Sequence, residues 1–166
     1  MAGQVYRAGD ASLVVSAADN AAPEGAAAAG IVEQYDLSNV VGSMRDVRFR
    51  VTSDVRPFYE IGRRYPTHLR PGAVGITGGA ERAVVNGALL RLMLGGGAVS
   101  PPGAANFVQP SFNMITSLTS SAAPESFVKV TLFGVTFDSW HYHVPLDDFV
   151  LERVTFQALR VAFEEA

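Results

Sequence analysis

The sequence predicts a mainly β domain that carries a single helix, and three observations predict it. "MRDVRFRVTSDV", residues 44–55, alternates Val47, Phe49 and Val51 with Arg48, Arg50 and Thr52, the period of a half-buried strand. Three later stretches, "FNMITSLTS", "SFVKVTLFGVTFDSW" and "DFVLERVTFQALRVAF", have strand composition from end to end. Only "AERAVVNGALLRLMLGGG" changes period, placing Val85, Ala88, Leu89, Leu92 and Met93 on one helical face.

In chain order, residues 17–30, "AADNAAPEGAAAAG", show no amphipathic pattern, and Pro23, Gly25 and Gly30 interrupt the alanines. Residues 1–30 are therefore expected as an N-terminal arm or flexible loop on a single domain spanning 1–166. After the arginine-bearing strand, "RPFYEIG" reads as a short second strand closed by Gly62, followed by the loop "RRYPTHLRPG". "AVGITGG" is a brief strand, from which Thr77 or the glycine pair opens the helix that Gly95 closes. "GGGAVSPPGAAN" is then a turn-rich loop. Two of the long strands change phase. Val128, Val130 and Leu132 give way to Phe133, Val135 and Phe137 across Gly134, the place for a β-bulge. Val154, Phe156 and Ala158 likewise give way to Leu159, Val161 and Phe163. Strands of roughly 13–16 residues outgrow a compact monomer. They suit strands that bend between two sheets or run on to pair with a neighbouring subunit.

With 166 residues, 48% hydrophobic and 17% charged, the chain can bury a core of ordinary size. The formal net charge of −3 works against a phosphate backbone. Of the 13 basic residues only Lys129 is a lysine, and arginine favours planar ion pairs at protein contacts. No cysteine is present, which excludes disulfides and thiolate metal sites. No apolar run reaches the roughly 18–20 residues of a membrane span. The opening "MAGQVYRAGDASLVVS" lacks the basic start and apolar stretch of a signal peptide, so none is expected.

Each candidate for chemistry competes with a plainer reading. His141 and His143 share a strand face and can take a metal if Asp138 or Asp147 supplies a third ligand; otherwise they are polar side chains on a surface or interface strand. Asp147, Asp148 and Glu152 form a carboxylate group, but "VPLDD" is turn-like and no nucleophile stands near it. Solvated turn residues or interfacial ion-pair partners fit these acids better. "GITGGAER" lies between a strand and a helix but lacks both the Gly-Lys-Ser/Thr ending and the G-x-G-x-x-G spacing of phosphate loops. The loop bearing Arg63, Arg64, His68 and Arg70 can grip an anion, with Tyr65 its only aromatic platform. The net negative charge favours acids of a neighbouring subunit as its partner. No enzyme chemistry and no cofactor are expected.

The order of these pieces carries more information than any one of them. "YEIG…P…L…G" at 59–72, the "TGGAER" segment, the single helix and "GVTFDSW…DDFVLE" follow one another. From about Ser43 to Ala162 this series resembles the tail tube proteins of long-tailed bacteriophages and related contractile injection machines. The resemblance implies two packed antiparallel sheets, a β-sandwich or part-barrel, with one flanking α-helix. It implies a structural virion protein whose six copies form a ring. Inner sheets join into a barrel, and rings stack into the conduit for genome delivery. The implied partners are further copies of the chain, tape-measure, baseplate and tail-terminator proteins, a sheath in contractile tails, and viral DNA passing without sequence-specific binding. The implied location is the virion tail, assembled in the host cytoplasm. Arg63, Arg64, Arg70, Asp147 and Asp148 are the expected inter-subunit contacts. Two other readings stand beside this one: the effector-carrying tube of a secretion system, and a monomeric β-sandwich with a ligand or metal at His141 and His143.

Overall fold

The computed structural model describes residues 5–39, 41, 44–83, 86–99, 108–120 and 122–166. Val85 and residues 100–107 of the turn-rich loop lie outside the described residues. In chain order the elements are β1 (Ala11–Ala17), α1 (Pro23–Gln34), β2 (Met44–Ser53), β3 (Arg56–Phe58), β4 (His68–Arg70), β5 (Val74–Arg82) and α2 (Ala88–Leu94). They continue with β6 (Phe112–Ser120), β7 (Ala123–His143), β8 (Leu151–Ala158) and β9 (Arg160–Glu165).

Seven strands pair antiparallel in the order β1-β6-β7-β8-β5-β2, with β9 also on β7, while β3 and β4 form a separate hairpin. The 21-residue β7 is the long strand expected from the sequence, and it serves both halves of the array. Residues 127–135 pair with β6 on one side, and residues 128–133 pair with β9 on the other. Residues 136–143 pair with β8, which continues through β5 to β2. The array therefore divides into a β1-β6-β7-β9 half and a β7-β8-β5-β2 half.

The division falls at the expected phase change. Met114 lies opposite Leu132 but Phe112 lies opposite Val135, so β7 gains one extra residue there. Gly134 takes φ +62 at this bulge. The extra residue brings Leu132, Val135 and Phe137 into one core although they do not share a strand face by simple alternation. The C-terminal strand breaks at the matching place, Leu159, whose N–H still donates to the Phe133 carbonyl at 2.9 Å. A Cβ on Gly134 would lie 2.6 Å from Leu159 Cδ1. Gly134→Val should therefore cost about 1–3 kcal/mol, from left-handed backbone strain plus the clash. Urea unfolding checks this through a lowered midpoint at unchanged slope; an unaltered midpoint would contradict it.

Both halves feed one core, in which Leu13, Val15, Phe112 and Met114 meet Ile76, Ala80, Val154 and Phe156. Phe112 and Phe137 pack edge to face at 4.8 Å. Ala88, Leu89 and Leu92 of α2 cover this core, as the helical period predicts.

The structure differs from the expectations at three elements, the smallest being the loop "RRYPTHLRPG", whose His68–Arg70 pair with β3 as strand β4. The alanine-rich segment, expected as a loop or arm, forms α1, a second helix beside the expected one. Pro23 sits at its start, where the first N–H needs no partner, and so opens the helix it was expected to break. Gly25 lets the first turn close onto Asp19, whose carbonyl oxygen would be 1.8 Å from an added Cβ. At the other end Asp36 takes φ 52 and the Leu37 N–H closes back onto the Val32 carbonyl at 3.0 Å, a left-handed cap sealed by buried Leu37. Second, "TGGAER" is the end of strand β5 and not a helix start. A Cβ on Gly78 would lie 2.5 Å from both Phe156 Cζ and the Arg48 carbonyl oxygen, so this glycine makes room for a packed ring inside the sheet. The helix begins only at Ala88, after Gly87 at φ 77 and with the Asn86 side-chain oxygen accepting the Ala88 N–H.

Candidate assembly surfaces

The β7-β8-β5-β2 half has two unlike faces. On one, the cross-strand rows are Val47, Ala80, Val154 and Trp140, then Phe49, Gly78, Phe156 and Phe137; these side chains join or pack on the core except Phe49, which the outermost strand leaves exposed. On the other, the rows are Asp46, Glu81, Arg153 and His141, then Arg48, Gly79, Thr155 and Ser139, then Arg50, Thr77, Gln157 and Thr136. Alternation along four strands makes the second face largely polar, with Leu151 opposite His143 its apolar exception.

Its charges are largely satisfied within the chain. Asp46 pairs with Arg48 at 3.0 Å, and Glu81 accepts a two-pronged contact from Arg153, with Nε at 2.9 Å. Asp138, in the second bulge of β7, accepts from the Thr155 hydroxyl and the Gln157 amide, which puts it on this face. His141 and His143 also lie here, beside Glu81 and Arg153, around a shallow cleft of about 490 Å³. Among the described residues no three His, Asp or Glu side chains converge as a metal site.

Both edges of this half-sheet are free of strand partners among the described residues. β2 pairs only with β5. Beyond Val135 no strand follows β6 along β7, where the Gln109 amide donates to the Phe137 carbonyl at 3.0 Å. Unpaired strand edges are templates for a further strand.

The two ends of the half-sheet differ from its edges. The β3–β4 hairpin leaves where β2 ends and β5 begins, and it carries Arg63, Arg64 and Arg70. Its apolar side chains face solvent, with Ile61, Tyr65 and Leu69 all exposed. Within it Arg63 lies 4.0 Å from Glu60, and Arg70 sits 5.8 Å over the Phe58 ring. Asp147 and Asp148 lie in the turn between β7 and β8, beside exposed Leu146 and Phe149. That turn is at the opposite end, because Leu151 pairs with His143 and Ala158 with Ile76. Eight residues of β8 separate the two ends by roughly 25 Å. The fold thus keeps the expected basic and acidic groups apart within one chain.

Glu152 corrects one expectation. Grouped by sequence with the turn acids, it is fully buried and takes both the Arg82 guanidinium and the Trp140 N–H, the latter at 3.1 Å. Arg82, itself buried, also donates to the Asn86 side chain at 2.6 Å. The sequence reading missed Arg82 altogether. Its one visible signal is a charge at a core-facing position of an apolar strand.

No family model and no characterised protein matches the sequence. Solved structures do match. A chain of the extended sheath–tube complex of PVC, an extracellular contractile injection system, has TM-score 0.65 at 12% identity, covering 99% of this chain and 95% of that one. A chain of the anti-feeding prophage tube-terminating cap has TM-score 0.63 at 12% identity, covering 100% and 95%. The SPP1 tail tube has TM-score 0.61 at 10% identity, covering 98% and 80%. The polar half-sheet, the bent β7 and the projecting hairpin therefore belong to a chain with the tail-tube fold.

Proposed function

We propose that this chain is a tail tube protein whose copies join side by side into rings of six and stack head to tail into a tube. One observation carries the proposal: a half-sheet that is polar across one face and, among the described residues, without a strand partner at either edge. Joining β2 of one copy to residues 136–143 of β7 in the next leaves no open edge and closes the sheet around a passage. The polar face then lines the lumen, while the core face packs against α2 and the other half. Stacking follows from the two ends. The hairpin of one copy reaches the β7–β8 turn of the copy in the next ring, bringing Arg63, Arg64 and Arg70 to Asp147 and Asp148, and Ile61 and Tyr65 to Leu146 and Phe149.

In this reading the tube is part of a virion tail assembled in the host cytoplasm, and DNA passes through it. Tape-measure, baseplate and terminator proteins, and a sheath where the tail contracts, are its partners. The solved chains of PVC and the anti-feeding prophage support a second reading of the same ring, the inner tube of a contractile injection system that delivers other cargo. Negative-stain electron microscopy of the purified, metal-free protein at high concentration tests the assembly. Hollow tubes or six-fold rings are expected. A monodisperse monomer at every concentration would overturn it and return His141 and His143 to attention as a ligand site.

A further inference from the structure

The polar face supports an inference about passage that rests on the tube reading. Its ionisable side chains are Asp46, Arg48 and Arg50 on β2, Glu81 on β5, Arg153 on β8, and Asp138, His141 and His143 on β7. Arg45, in the bulge at the rim of β2, lies outside these rows. Three arginines thus share the face with three carboxylates. We propose that Asp46, Glu81 and Asp138 mask these arginines, so that a polyanion such as duplex DNA travels through the tube without being held.

The physics is that of counterion release. An arginine surrounded by mobile ions gains by exchanging them for a phosphate, which is why nucleic-acid affinity falls steeply with salt. An arginine already paired with a fixed carboxylate has no ion to release and must break that pair first. The geometry gives each acid such a role. Glu81, whose side chain is only 15% exposed, holds Arg153 by two donors. Asp46 holds Arg48 at 3.0 Å. Asp138 is fixed by Thr155 and Gln157 on the same shallow cleft, about 460 Å³, that Arg48 and Arg50 line. Arg50 and Asp138 both line this cleft, whose other walls include Gly79 and Thr77, so both charges open onto one space.

The test compares three preparations of the full chain assembled into tubes, each mixed with a short labelled duplex and pelleted. Wild-type tubes should leave the duplex in the supernatant. Asp46→Asn with Glu81→Gln unmasks two arginines per copy, about a dozen per ring, and should retain at least about tenfold more duplex at low salt, an excess lost toward ~0.3 M salt. Glu24→Gln with Glu33→Gln changes net charge equally but on exposed positions of α1, and should behave as wild type. If Glu81→Gln disturbs folding, Asp46→Asn alone, at an exposed ion pair, should give a smaller excess of the same kind. Intact variant tubes that retain no more duplex than wild type would overturn masking and leave the tube reading standing. So would equal retention by the α1 variant. Failure of the wild type to form tubes would instead remove the tube reading, and masking with it.

Discussion

Glu152→Ala should destabilise the fold by about 3–5 kcal/mol, the cost of leaving a buried charge without its partner. Arg82 would lose the carboxylate that accepts its guanidinium, and Trp140 would lose the acceptor for its indole N–H. Arg82 cannot turn to water, because it is 2% exposed at the junction where β5, β8 and Trp140 of β7 meet. Thermal or urea unfolding measures the loss, and a change under about 1 kcal/mol would contradict it. The double replacement Arg82→Leu with Glu152→Leu should recover most of the stability, since removing both charges also removes their desolvation cost. The pair's further value is register. Arg82 and Glu152 are direct cross-strand partners, and a one-residue slip of β8 would exchange the polar and core faces and leave both charges unmatched. The double variant should therefore fold yet assemble less regularly than wild type under the microscope.

Arg64→Glu should stop tube growth while leaving the subunit folded. Arg63 already has Glu60 at 4.0 Å and Arg70 sits over the Phe58 ring, whereas Arg64 forms no ion pair among the described residues and is placed to meet a neighbour. An exposed pair contributes at most about 1 kcal/mol, but six act together across each ring boundary, and reversal turns each attraction into repulsion. Unfolding should be unchanged, because the hairpin lies outside the core. Asp147→Arg with Asp148→Arg should block growth alone and restore it when combined with Arg64→Glu. Normal tubes from Arg64→Glu alone would refute the head-to-tail contact, and a failed rescue would place its acidic partner elsewhere.

Where sequence reasoning failed, local signals had been outweighed by distant contacts. Pro23 and Gly25 read as breakers because their use depends on what stands next to them: a helix start that needs no N–H, and an Asp19 carbonyl too close for any side chain. The glycine pair of "TGGAER" is a strand interior only because Phe156, some eighty residues away, fills the space above Gly78. Glu152 looked like its neighbours Asp147 and Asp148 because chain position says nothing about which face a strand residue takes after a turn. The candidate surfaces were partly legible. The basic and acidic loops were visible as charge in turn-rich segments, but that they lie at opposite ends of one sheet was not.

By itself the sequence determined the mainly β class, the helix around Leu89 and Leu92, and the long strand that bends at Gly134. Each of these rests on periodicity or on a backbone requirement within a few residues, which local chemistry settles. The tertiary structure decided the pairing order, the second helix, the burial of Arg82 with Glu152, and which polar rows share a face with two open edges. Those depend on register between strands far apart in the chain, where one residue of slip reverses every side chain, and only the packed core selects among the registers.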